Sequence, residues 1–110
     1  MQLRGTIERV GSVPVLSLTG SVDLATVAEL RDLLLRLIDD HAGQAVLVDL
    51  DGVDALDDAG LGILLGAAGR ARQIGGDLGV VCADGQRRRR FSLTGLDRAI
   101  TVTATMTEHR

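Results

Sequence analysis

Tryptophan, tyrosine and lysine are absent from this 110-residue chain, and Phe91, Cys82 and Pro14 are each the single residue of their type. With one aromatic, the core must be built from Leu, Val, Ile and Ala, and a platform of aromatic rings for stacking bases is excluded. One cysteine cannot form an internal disulfide, which fits a reducing cytosol. A formal net charge of −3 supplies no global attraction to nucleic acid or to an anionic membrane, so neither is expected as a direct partner. The apolar run Leu33 to Ile38 is broken by Arg36 and followed by Asp39 and Asp40, too short and too charged to insert in a bilayer. The opening residues Met1 to Val10 lack the apolar stretch of a secretory signal. These absences describe a soluble, cytoplasmic protein. What is present is a hydrophobic fraction of 45%, enough for one ordinary core, so residues 1–110 read as a single domain.

Hydrophobic patterning gives the order β-β-α-β-α-β-α-β. Residues 3–9 and 13–20 read as strands joined by a turn at Gly11-Ser12, with Pro14 placing the second near a sheet edge or a strand end. Val27, Leu30, Leu34, Leu37 and Ile38 recur at helical spacing over 27–40, with Thr26 and Glu29 as a capping box and Gly43 as the stop. The run Ala45 to Leu50 suits a strand covered on both faces. An acidic loop follows, then a helix from about Ala59 to Ile74 whose inner face is Leu61, Leu64, Leu65, Ala68 and Ala71, ended by Gly75-Gly76. Leu78 to Cys82 is a strand. Asp84 caps a short helix through the arginine run to Leu93, Gly95 ends it, and Ala99 to Ala104 is the last strand. Strands alternating with helices imply an α/β fold with a largely parallel sheet.

The richest stretch is Val48 to Arg72, where a strand runs through the acids Asp49, Asp51, Asp54, Asp57 and Asp58 into Ala59-Gly60-Leu61-Gly62 and a helix. Asp57 and Asp58 can cap that helix. The acids fail as a calcium loop: counting from Asp49, the sixth residue is Asp54 rather than Gly and the twelfth is Gly60 rather than Glu. No metal or cofactor site is expected. Gly60, Gly62, Gly66 and Gly69 do not follow a nucleotide-binding order and read as small residues allowing close helix packing.

Arg87 to Arg90 are consecutive, so on a helix they fan out about 100° apart and cannot form one flat basic patch. Arg87 shares a face with Phe91, where its stem can lie along the ring with the head in water, and arginines near a helix C-terminus suit the helix dipole. His41 and His109 lie at a helix end and near the terminus, and Cys82 sits in a buried-strand pattern. No acid–base pair stands out for catalysis.

Three segments in register resemble the STAS domain of bacterial anti-sigma factor antagonists: Gly20-Ser21-Val22-Asp23-Leu24-Ala25-Thr26 with Glu29-Leu30-Arg31-Asp32; Leu47 to Leu50 with Leu56-Asp57-Asp58-Ala59-Gly60-Leu61-Gly62; and Phe91-Ser92-Leu93-Thr94-Gly95-Leu96-Asp97. The resemblance covers nearly the whole chain. It implies a mostly parallel or mixed sheet of about five strands packed by three main helices. It also implies a non-catalytic switch that binds an anti-sigma factor of the Ser/Thr-kinase type and so releases a sigma factor. By the same resemblance the partner-binding residues are Asp23, Thr26, Asp57, Asp58, Ala59, Gly60, Leu61 and Gly62, with Leu61 half core and half interface. Homodimerisation stays open, as does a second role, an adaptor subunit of a stress-signalling or lipid-transport ABC complex.

The family pattern carries two serines before the loop glycine and the second is phosphorylated. Here the first aligns with Asp58 and the second with Ala59, and there is no Ser, Thr or Tyr from Val27 through Phe91. The resemblance then leaves two consequences. Ala59 makes a permanently unphosphorylated antagonist, or Asp58 supplies a charge one position away and weakens docking. The first is favoured, because a carboxylate carries about one charge where phosphoserine carries about two. Without that switch, the candidate controls are Cys82 oxidation, modification of Ser92 or Thr94, expression level and, more remotely, an aspartyl phosphate on Asp57 or Asp58.

Overall fold

The computed structural model describes residues 2–106. Elements follow in the order β1 (Leu3–Val10), β2 (Val13–Val22), α1 (Val27–Asp40), β3 (Ala45–Leu56), α2 (Asp58–Gln73), β4 (Asp77–Val81), α3 (Gly85–Thr94), α4 (Leu96–Ala99) and β5 (Thr101–Thr103). One five-stranded sheet has the spatial order β1-β2-β3-β4-β5. The β1–β2 hairpin is antiparallel and every other pair is parallel. The mixed five-stranded α/β sheet read from the sequence is therefore the observed one.

Leu16, Val48 and Val80 stand side by side across β2, β3 and β4 and begin one continuous core. Onto this face α1 sets Leu30, Leu34, Leu37 and Ile38, and α2 sets Leu61, Leu64, Ala67, Ala68 and Ala71. The shorter α3 and α4 add Phe91 and Leu96. Residues of opposite parity, Val15, Leu47 and Val81, form a smaller cluster with Val13 and Met106, so β3 is buried on both sides as its sequence implied. Pro14 lies at the second position of β2, an interior strand, so it marks a strand end and not an edge.

Four local details differ from the sequence reading. First, β3 continues through the acids to Leu56, because Gly52, Val53, Ala55 and Leu56 pair with β2. The register slips between Ser17 and Thr19, where a Cβ on Gly52 would lie 2.6 Å from the Leu18 carbonyl, so the bulge needs glycine. Second, Thr26 makes no capping bond onto α1. Its hydroxyl donates back to the Ser21 carbonyl (2.7 Å) and accepts from the Asp23 amide (3.1 Å), while the Asp23 carboxylate accepts from the amides of Ala25 (2.8 Å) and Thr26 (3.1 Å). The turn before α1 is thus Asp23's work. Third, Leu96–Ala99 forms a helical turn where the last strand was expected to begin, and β5 keeps only Thr101–Thr103. Gly95, at φ 79°, ends α3 and redirects the chain so that Leu96 enters the core. Fourth, Leu65 is exposed, not part of the inner face of α2.

Candidate functional site

Parallel strands bring their C-terminal ends to one edge of a sheet, and the loops gathered there are where such folds place their sites. Here Val22 and Leu56, the last residues of β2 and β3, are paired, and the Asp57 amide donates to the Val22 carbonyl at 3.1 Å. The Asp23 turn and the Asp57 loop therefore sit side by side. Asp57 caps α2 as its sequence suggested. Its side chain accepts from the Gly60 amide at 3.3 Å, and its carbonyl accepts from the amides of Gly60 and Leu61.

The structure separates the expected site residues into a surface and its support. Asp58 projects outward with its side chain 89% exposed, Gly62 is exposed, and Asp23, Asp57 and Ala59 are half-buried. Thr26, at 2% exposure, and Gly60 are buried and hold the turn and the helix start in place. Leu61 is 6% exposed and belongs to the core, so the expected half-interface role does not fit: its position one turn into α2 faces the sheet.

Only one of the four α2 glycines makes a close approach. A Cβ on Gly60 would lie 2.5 Å from Val22 Cγ1 and 2.7 Å from Leu56 Cδ1, whereas Gly62, Gly66 and Gly69 face open space. Close helix packing is therefore not what those three serve. Overpacking of this kind costs about 1–3 kcal/mol, so Gly60→Ala is expected to lose that much stability in urea unfolding while Gly66→Ala gains a few tenths.

Sequence reasoning missed two features. Leu24, at the tip of the Asp23 turn, is 82% exposed, a large apolar side chain beside the loop. No helix or strand periodicity demands it, and that was the available signal. The second is a groove of ≈ 230 Å³ between α1 and α2, lined by Arg31, Leu35, Gly62, Ile63 and Gly66 among others, which opens next to the start of α2.

The arginine run is bonded into the fold. Arg87 donates to the Leu50 carbonyl (3.3 Å), and Arg88 to the carbonyls of Cys82 (2.9 Å) and Ala83 (2.8 Å). Arg90 donates to the Leu56 carbonyl and pairs with Asp58 at 2.6 Å. The heads of Arg87, Arg88 and Arg90 thus serve backbone carbonyls of β3 and of the segment after β4 rather than the dipole of α3, in whose last turn there is no basic residue. Two acids of β3 likewise bond backbone: Asp49 accepts from the Asp51 amide (2.9 Å) within the strand, and Asp51 accepts from the Ala83 amide (2.6 Å) in the segment after β4. Among the described residues no group of three or more His, Cys, Asp or Glu converges as metal ligands would, and no helix is long and apolar enough to cross a membrane.

His41 turns its Nδ1 to the Leu37 carbonyl at 2.8 Å, closing α1, while His109 lies outside the described residues. Cys82 is fully buried, as its strand pattern suggested, and burial pushes its thiol above the ordinary range despite the nearby Asp84 hydrogen bond and Arg87. A thiol held protonated and out of solvent is a poor redox sensor. Since its folded value is the raised one, its contribution to stability is complete below the ordinary thiol range and is lost as pH rises above it.

This sheet, with its capped α2 start at the strand ends, defines the class. The STAS domain family matches residues 6–109, and the chain belongs to that family. The anti-sigma-F factor antagonist RsfB of Mycobacterium tuberculosis is 33% identical over 103 residues, covering 92% of this chain and 81% of the relative. A crystal structure of an anti-sigma factor antagonist from Mycobacterium paratuberculosis matches with a TM-score of 0.84 and 28% identity over 96% of this chain and 89% of that one. The Bacillus cell fate determinant SpoIIAA in its phosphorylated form shares the fold, with a TM-score of 0.68 and 21% identity over 96% of each chain.

Proposed function

We propose that this protein is a cytoplasmic anti-sigma factor antagonist that binds an anti-sigma factor of the Ser/Thr-kinase type and releases its sigma factor, acting by contact and not by catalysis. The docking surface is the Asp23–Leu24 turn, the Asp57 loop and the outward start of α2, with Ala59 and Gly62. The observation that carries this reading is a capped loop at the strand ends in a chain that is 33% identical to an antagonist over 92% of its length. Leu24 supplies an apolar anchor there, and the groove beside Gly62 offers a recess for a partner side chain.

Control differs from that of a phosphorylated relative. Position 59 is an alanine, and no hydroxyl-bearing residue lies between Val27 and Phe91, so a kinase partner finds no acceptor in the loop. The protein stays competent to bind whatever the nucleotide state.

The test is a calorimetric titration of the purified protein into the kinase-type anti-sigma factor of its own genome, with ADP and with ATP. Equal affinity in both, no phosphate incorporated, and a loss of more than about tenfold in Leu24→Arg are expected. Binding by Asp58→Ser but not by the wild type would sink the reading, and stable co-purification with an ABC-transporter subunit would replace it with the adaptor role.

A further inference from the structure

We infer that Arg90 is a positioning residue for the docking loop, gripping both sides of the α2 cap and cancelling the charge of Asp58. The inference rests on the antagonist reading for its consequence, and on geometry for its substance. Arg90 stands on α3, more than thirty positions from the loop in sequence. One arm of its guanidinium donates to the carbonyl of Leu56, the last residue of β3, and the other pairs with Asp58 Oδ1 at 2.6 Å. Leu56 and Asp58 flank Asp57, the residue whose side chain caps α2. A single planar fork thus fixes the strand end before the cap and the helix residue after it. Lysine, a point charge on a flexible stem, would not hold two diverging acceptors in the same way.

Asp58 is the acid nearest the alanine that replaces the family's phosphorylated serine, and a free carboxylate there would present a partner with negative charge in a protein that can never remove it. Among the described residues Arg90 is the one cation bonded to it. Arg87 and Arg88 are committed to the carbonyls of Leu50, Cys82 and Ala83. The pair is exposed enough for salt to weaken it and for mutation to dissect it.

The experiment is a double-mutant cycle of Arg90→Gln and Asp58→Asn, with Arg90→Lys alongside, read in two ways. In the isolated protein, amide hydrogen exchange at Gly60 and Leu61 should quicken about threefold in Arg90→Gln and show little further dependence on Arg90 once Asp58→Asn is present. Against the kinase-type anti-sigma factor, Arg90→Gln should lose about three- to fivefold in affinity, only while Asp58 keeps its charge. Raising the salt should restore that loss, and Arg90→Lys should recover it in part. Equal effects of Arg90→Gln in both Asp58 backgrounds would overturn the inference, because Arg90 would then act through the Leu56 carbonyl alone. A loss of affinity that salt does not restore would overturn it too. If no anti-sigma factor binds the wild type, the antagonist reading fails and the exchange cycle alone decides: coupling between the two positions supports the lock, and its absence removes it.

Discussion

On the proposed antagonist reading, Ala59→Ser is expected to make binding switchable by phosphorylation. The substitution adds one hydroxyl at a half-buried position in the first turn of α2, where serine is tolerated and the helix cap comes from Asp57, so the unmodified variant should bind the anti-sigma factor as the wild type does. With ATP and the kinase-type partner the new hydroxyl becomes the only one between Val27 and Phe91. Its phosphorylation adds about −1.5 to −2 charges beside Asp57, Asp58 and Asp23. A phosphate at a helix N-terminus is favourable within the protein, so the fold should hold and the cost should fall on docking. Like charge brought into an interface costs several kcal/mol, and each 1.4 kcal/mol is a factor of ten, so affinity should fall at least about tenfold once phosphate is incorporated. Titration before and after ATP treatment, with incorporation followed by mass, measures this. A phosphorylated variant that binds undiminished would move the docking surface away from the loop.

The sequence carried most of the frame because its signals were local. Periodicity, with Thr26 before it and Gly43 after it, placed α1 at Val27–Asp40, and the Gly75-Gly76 pair and the Asp57 cap bounded α2 closely. What was illegible depended on residues distant in sequence. Asp51 and Asp54 look like a loop until β2 is seen to pair alongside them, since acids and a glycine on the outward positions of a strand hide its period. The arginine run looked like a fan of solvated heads because its acceptors are carbonyls more than thirty positions away for Arg87 and Arg90. Thr26 matched a capping signature three residues before Glu29, yet its burial against Ser21 turned the hydroxyl toward β2. Within the candidate site, the family pattern named a set of residues but could not sort surface from interior. Thr26, Gly60 and Leu61 face inward, and Leu24, bracketed by Asp23 and Ala25, is the apolar side chain left outside.

Phe91→Ala is expected to produce the largest loss of stability among single substitutions in α3. Phe91 is the chain's one aromatic, is fully buried, and is the one residue through which α3 enters the core. Removing a buried phenylalanine side chain costs about 3–5 kcal/mol, a large share of the about 5–15 kcal/mol that holds a small domain together. Leu would retain much of the apolar volume, so Phe91→Leu should lose distinctly less. With no Trp or Tyr to report by fluorescence, urea unfolding followed by far-ultraviolet circular dichroism is the suitable measurement. The same ring also orients the site: Arg90 precedes it on α3, and its grip on Leu56 and Asp58 requires α3 to lie against the strand ends. Phe91→Ala should therefore quicken amide exchange at Gly60 and Leu61 as Arg90→Gln does, at denaturant concentrations where the sheet is still intact. A loss below about 1 kcal/mol would mean that the arginine–carbonyl bonds, and not the ring, hold α3 in place.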